Sequence, residues 1–129
     1  MPVSAVPIST LTGHERRVTS VAFALRGSLL ASASDDHHVM VWDVASRRPI
    51  ATLAGHTDRV NAVAFSPDDR TLASASDDRT IILWDLASRS PTTTLVGHGG
   101  AVSGMAFSPD GGTIASASDD RTIMLWNLA

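Results

Sequence analysis

Three short marks return in this chain at a fixed interval. Gly13-His14, Gly55-His56 and Gly97-His98 each open a unit, and Trp42-Asp43, Trp84-Asp85 and Trp126-Asn127 each close one. The histidines stand 42 residues apart (56 − 14 and 98 − 56), and so do the tryptophans. No insertion disturbs the interval. A strict period of this length limits the fold to copies of one supersecondary unit, each burying its apolar face only against its neighbours. Between Gly55–Leu86 and Gly97–Leu128, 21 of 32 positions are identical. That points to recent duplication or deliberate construction, not to long divergence of specialised units.

Composition narrows the function classes. Apolar residues make up 43% of the chain, well outside the range of disordered sequences. The net charge of −3 argues against nucleic acid, which calls for a basic stripe. All ten basic residues are Arg, a residue suited to two-pronged pairing with the many Asp. With no Cys there are no disulfides and no thiolate metal sites. Met1 to Thr10 has no basic region ahead of an apolar core, so it does not read as a signal peptide. No apolar run approaches the ~20 residues of a membrane span. A cytoplasmic protein with no membrane partner is the expectation.

The middle unit reads as four short strands. Val60–Phe65 is an apolar, β-favouring run, and Ser66-Pro67-Asp68-Asp69 is turn chemistry. Thr71–Ser76 is a second strand of small side chains, followed by a turn at Asp77-Asp78-Arg79. Thr80–Asp85 is a third, β-branched strand. Ala87–Ser90 is a polar connection, and Thr92–Val96 is a fourth strand, rich in Thr and so outermost.

Four antiparallel strands per ~40 residues, with Gly-His and Trp-Asp marks, are the pattern of a propeller blade. From about Ile8 to Leu128 the chain closely resembles the WD-repeat β-propeller family. The fold class expected is all-β, with three four-stranded blades at about 13–54, 55–96 and 97–129. An outer strand at about 7–12 precedes the first blade, and the last blade ends at its third strand. In the family, rings are closed by sharing a strand between chain ends. The resemblance therefore implies a ring closed by homo-oligomerisation, with residues 7–12 given to another copy. Three-blade chains close only at multiples of three. Six blades need a step of about 60° and nine about 40°, against about 51° for the family's usual seven. The Ala/Ser second strands permit thin wedges, and a ring of six would crowd Phe23, Phe65 and Phe107. The expected partner is therefore the chain itself, as a nine-bladed homotrimer, with a six-bladed homodimer as the alternative.

Each unit also holds a His, a Ser, an Asp and a Trp at constant offsets. These are His14, Ser32, Asp36, Trp42; His56, Ser74, Asp78, Trp84; and His98, Ser116, Asp120, Trp126. Ser, His and Asp suggest a nucleophilic triad. Recurrence in every unit argues against that, because an active site is needed once. There is also no Gly-x-Ser-x-Gly elbow. The resemblance implies a structural network instead: the Asp accepts from the His, the His reaches the Ser, and the Ser reaches the Trp ring N–H.

The remaining candidates are weaker. Asp35-Asp36, Asp77-Asp78 and Asp119-Asp120 raise Ca²⁺, but the alternating acidic loop ending in Glu is missing and turn chemistry accounts for them. His37-His38 reads as a solvated turn. No metal and no cofactor is expected. In the family, partners dock around the start of the inner strand and the Asp turn. The matching positions are Arg17, Thr19 and Asp35; Arg59, Asn61 and Asp77; and Ala101, Ser103 and Asp119. Two readings stand for them, a docking surface for protein or peptide ligands and a rim of Arg and Asp that pair across blades. The function expected is a non-enzymatic interaction or scaffold module. The rivals are a propeller completed by a different WD-repeat protein and an enzyme with a site in the central channel.

Overall fold

The structure, a computed structural model, describes residues 4–129. The first three residues of the Met1–Thr10 stretch lie outside the described residues. Among the described residues eleven strands form three antiparallel sheets. The first blade contains β1 (Val18–Phe23), β2 (Leu29–Ser34), β3 (His38–Asp43) and β4 (Arg48–Ala54). The second contains β5 (Val60–Phe65), β6 (Thr71–Ser76), β7 (Thr80–Asp85) and β8 (Ser90–Val96). The third contains β9 (Val102–Phe107), β10 (Thr113–Ser118) and β11 (Ile123–Asn127). Every sheet is a simple meander, each strand paired with the next in sequence. Residues 4–17 contain no strand in this chain, so the segment expected as an outer strand is unpaired here.

The fourth strand of the second blade begins two residues earlier than the Thr-rich run suggests. Ser90 opposes Asp85 and Pro91 opposes Trp84, with a register shift between Leu83 and Trp84. Pro is tolerated because β8 lies at the sheet edge, where no ladder bond is needed from its nitrogen. The first blade repeats the device with Pro49 opposite Trp42.

The turns carry their own strain. His37, Arg79 and Arg121 sit at φ of 75°, 76° and 74° between the second and third strands. The preceding Asp makes that shape tenable by accepting from the backbone two residues on, as Asp78 does from Thr80 at 2.9 Å.

The core lies between blades, not within a blade. Ala31, Ala33, Val39, Val41 and Leu53 of the first blade pack on Val60, Val63, Leu72, Ile82 and Trp84 of the second. Ala73, Ala75, Ile81 and Leu83 of the second pack on Val102 and Ile114 of the third. Each blade thus has a forward face of small and branched residues and a rear face of bulkier ones. The Ala residues of β2 and β6 are 0% exposed, which shows how closely successive sheets approach through their small side chains.

Candidate functional site: a repeated His-Ser-Trp-Asp network and the blade tops

Four elements bring each network together. The His comes from the segment before the inner strand, the Ser from the middle of the second strand, the Asp from the next turn and the Trp from the third strand. In the second blade, Trp84 Nε1–H donates to Ser74 Oγ at 2.8 Å. His56 Nε2 lies 2.7 Å from the same hydroxyl, and His56 Nδ1 lies 2.8 Å from Asp78 Oδ2. The corresponding distances are 2.9, 2.6 and 2.9 Å for Trp42, Ser32, His14 and Asp36. They are 2.8, 2.7 and 2.9 Å for Trp126, Ser116, His98 and Asp120.

The donor inventory gives this chain a direction. Trp can only donate and a carboxylate can only accept. The Ser therefore accepts from Trp and passes its own hydrogen to His Nε2, while His Nδ1–H donates to Asp. A neutral imidazole satisfies every atom. At His56, burial depresses the imidazole pKa and outweighs the opposing pull of Asp78. The carboxylates are held ionised. Burial works against the charge of Asp36, but bonds from His14, His38 N–H and Glu15 N–H overcome it and lower the pKa to about 2. At Asp78 burial is likewise overcome, by Thr80 and His56, and the pKa is lowered. Thr122 leads the same lowering at Asp120.

In this geometry the Ser hydroxyl is a poor nucleophile. Ser74 and Ser116 are 0% and 1% exposed, and both sides of each oxygen are already engaged. The opening Gly of each unit has a related role. A Cβ on Gly55 would stand 3.0 Å from Trp84 Cη2, and one on Gly97 would stand 2.9 Å from Trp126 Cη2. The indole lies over the backbone there, so the Gly of Gly-His is set by the Trp of Trp-Asp.

A second serine per blade was not singled out by sequence reasoning. Ser76 Oγ donates to Arg59 O at 2.8 Å and accepts from Asp78 N–H at 3.0 Å. Ser34 and Ser118 do the same with Arg16 O and Asp36 N–H, and with Gly100 O and Asp120 N–H. These hydroxyls tie the start of each inner strand to the Asp turn. The signal was present, since both serines of Ser-Ala-Ser-Asp-Asp recur at the same interval.

The blade-top positions are distributed unevenly. Arg17 Nε pairs with Asp35 Oδ2 at 3.2 Å within its own blade, not across to a neighbour. Thr19 Oγ1 donates to Val60 O of the next blade. Asn61 Nδ2 donates both to Asp77 Oδ1 at 2.7 Å and to Val102 O of the next blade at 2.9 Å. Ser103 Oγ turns inward to Ala117 O at 3.3 Å. The 19/61/103 positions therefore work as blade-to-blade clasps where a following blade is present. Asp35 Oδ1 is buried with no hydrogen-bond partner among the described residues, because Thr19 lacks the second donor that Asn61 supplies. Arg59 and Asp119 are exposed, and Asp119 N–H is held by Ala101 O at 2.9 Å. Among the described residues no three His, Cys, Asp or Glu side chains converge on one point.

Beside the last blade a groove of about 470 Å³ runs between Leu83, Thr92 and Thr93 on one side and Phe107 and Leu128 on the other. The corresponding groove between the first two blades is about 200 Å³. There Arg89, from the turn into β8, lies along the opening and donates to Ile50 O at 3.2 Å.

Stacked meander blades, each locked by a Trp-Ser-His-Asp chain, define a propeller-type repeat protein. The WD40 family profile (WD domain, G-beta repeat) matches at residues 5–43, 47–85 and 89–127, and the chain belongs to that family. The matches place residues 5–12 in the register of 47–54 and 89–96, which hold β4 and β8.

Similar proteins include Periodic tryptophan protein 2 homolog of Schizosaccharomyces pombe, 52% identical over 40 residues, 31% of this chain and 5% of that protein. Target of rapamycin complex subunit wat1 of the same organism is 44% identical over 41 residues, 32% of this chain and 13% of that protein. Elongator complex protein 2 of Saccharomyces cerevisiae is 50% identical over 34 residues, 26% of this chain and 4% of that protein. Each likeness is about one blade long, and the aligned stretch spans 13% or less of these relatives.

Proposed function

We propose that the chain is a non-enzymatic, cytoplasmic interaction scaffold that completes a propeller by assembling with itself. The favoured assembly is a nine-bladed homotrimer, in which residues at about 7–12 of one copy lie along β11 of another. One observation carries this reading. Val6-Pro7-Ile8-Ser9-Thr10-Leu11-Thr12 matches Arg48–Ala54 in Pro, Ile, Thr and Leu at the same offsets, yet it pairs with no strand among the described residues, and Val6 and Ile8 are 73% and 83% exposed. Among the described residues β11 has β10 on one side and no strand on the other. Carried over from β3 and β4, the register sets Leu11 opposite Ile123 and Pro7 opposite Trp126. An unpaired edge flanked by apolar surface is a template for another chain.

Two facts support a non-enzymatic role. The Ser, His and Asp of each tetrad are spent on one another and on Trp. Two of the similar proteins are named as members of complexes, the kind of setting that a scaffold serves.

Native mass spectrometry of the 129-residue chain tests the proposal. The expected mass is three chains, and deletion of residues 1–11 is expected to abolish it. A dominant mass of two chains would replace nine blades by six. A folded monomer would overturn self-assembly and point to completion by a different WD-repeat protein.

A further inference from the structure

The stack exposes at its two ends the two halves of a junction that it already makes twice inside. On the forward face of the third blade, Ile123 and Leu125 are 76% and 74% exposed. Their equivalents Ile81 and Leu83 are 0% and 7% exposed, because the third blade covers them. On the rear face of the first blade, Val18 and Val21 are 50% and 61% exposed, whereas Val60 and Val63 are 0% and 7%. The two open faces are different surfaces, so copies that use both must associate head to tail.

We propose that the third blade of one copy docks on the first blade of a second copy in the same blade-on-blade register as within the chain, clasped by Ser103. This rests on the self-assembly proposed above and adds which surfaces meet. In the two internal junctions the 19/61/103 position bonds the carbonyl that opens the next inner strand: Thr19 to Val60 O, and Asn61 to Val102 O. Ser103 then turns from Ala117 O to the Val18 carbonyl of the second copy.

The lower turns agree. At the second junction a Cβ on Gly111 would be 3.4 Å from Pro67, so a small residue sits against a proline. At the first junction the carboxylate of Asp69 instead takes the N–H groups of Leu25 and Arg26 at 2.8 and 2.7 Å. The proposed junction brings Gly27 against Pro109. Gly27 does not share the φ of 75° that Gly111 holds, but it too has no side chain, so no carboxylate is set against a proline, which has no N–H to give it.

Complementation tests this docking. Val21→Arg disables the rear face and leaves the forward face intact, and Leu125→Asp does the reverse. Both sites are exposed, so circular dichroism and tryptophan fluorescence should report folded blades. Each variant alone is expected to be monomeric by light scattering. An equal mixture is expected to give a complex of two chains and nothing larger, because only one productive junction remains. Ser103→Ala on the Val21→Arg chain should weaken that complex about 3–10-fold, the worth of one ordinary hydrogen bond.

Variants that keep the wild-type mass, or a mixture that stays monomeric while wild type assembles, would overturn the docking and leave self-assembly standing. A monomeric wild type would remove both. If either variant misfolds, Val18→Arg with Ile123→Asp repeats the test on neighbouring positions. An unchanged affinity for Ser103→Ala removes the clasp.

Discussion

Replacing Ser74 by Ala deletes one oxygen and leaves almost no cavity, so it isolates the hydrogen bonds of the second-blade network. Trp84, 1% exposed, loses the acceptor for its indole N–H. His56, 7% exposed, loses the partner of Nε2. Each buried group left unsatisfied costs about 1–3 kcal/mol. The removed hydroxyl no longer needs desolvation, which returns about 1–2 kcal/mol. Two such groups at mid-range cost about 4 kcal/mol, and less the ~1.5 returned the expected loss is about 2.5 kcal/mol. For a domain between 100 and 150 residues that lowers Tm by roughly 4 °C per kcal/mol, or about 10 °C.

Denaturant melts followed by the fluorescence of Trp42, Trp84 and Trp126 measure this. They must be run at one protomer concentration, since the proposed assembly would add to apparent stability. Ser88→Ala is the control, because its hydroxyl bonds Asp85 on the exposed connection and its loss should cost under about 1 kcal/mol. Because His56 and Ser74 act through one chain of bonds, combining His56→Ala with Ser74→Ala should fall short of the sum by about 1 kcal/mol or more. A Ser74→Ala loss no greater than that of Ser88→Ala would refute the assignment of the tetrad as a stabilising network.

Two further outcomes follow from the same geometry. Thr19→Asn should stabilise the protein by roughly 1 kcal/mol, because the amide can reach both Asp35 Oδ1 and Val60 O as Asn61 reaches their equivalents; an unchanged or lowered midpoint in denaturant would contradict it. Acid should destabilise in two stages. His56 resists a proton that the unfolded chain accepts below its ordinary 6.5, so stability begins to fall there. The depressed carboxylates contribute fully above about 3.8, and their share is lost as pH drops toward the folded value of about 2 at Asp36. Denaturation midpoints from pH 8 to pH 3 check this, and a maximum near pH 4 would be inconsistent with it.

The fold was legible because every signal was given three times. β5, β6 and β7 begin and end where the alternation of apolar runs and Asp-rich turns placed them. The start of β8 was not legible, because Ser90 and Pro91 read as connection until the sheet edge makes Pro harmless. The tetrad residues follow from their offsets and their order of bonding from the family resemblance, but the distances and the burial needed the geometry. Ser34, Ser76 and Ser118 were overlooked because a hydroxyl that bonds a carbonyl 17 or 18 positions away looks like any small strand residue. For the clasping positions 19, 61 and 103 the sequence supports a docking surface and a self-paired rim equally, and neither is the blade-to-blade clasp. One sequence carries no record of which blade a side chain faces, and Thr19 and Asn61 reach across 41 residues to the next one.

The placement of the core between blades has an evolutionary consequence. Because both internal junctions set the same kind of apolar forward face on the same kind of rear face, a tandem duplication of a 42-residue stretch inserts a blade whose core faces already match the ones ahead of it and behind it. The choice of unit matters at the lower turns, where a copy of the second unit would set Asp69 against Pro67 and a copy of the third would set Gly111 against Pro109. Such a gene can lengthen or shorten by whole units in a single recombination event, and each product meets one new physical requirement on the ring as a whole: that its blade angles sum to a full turn.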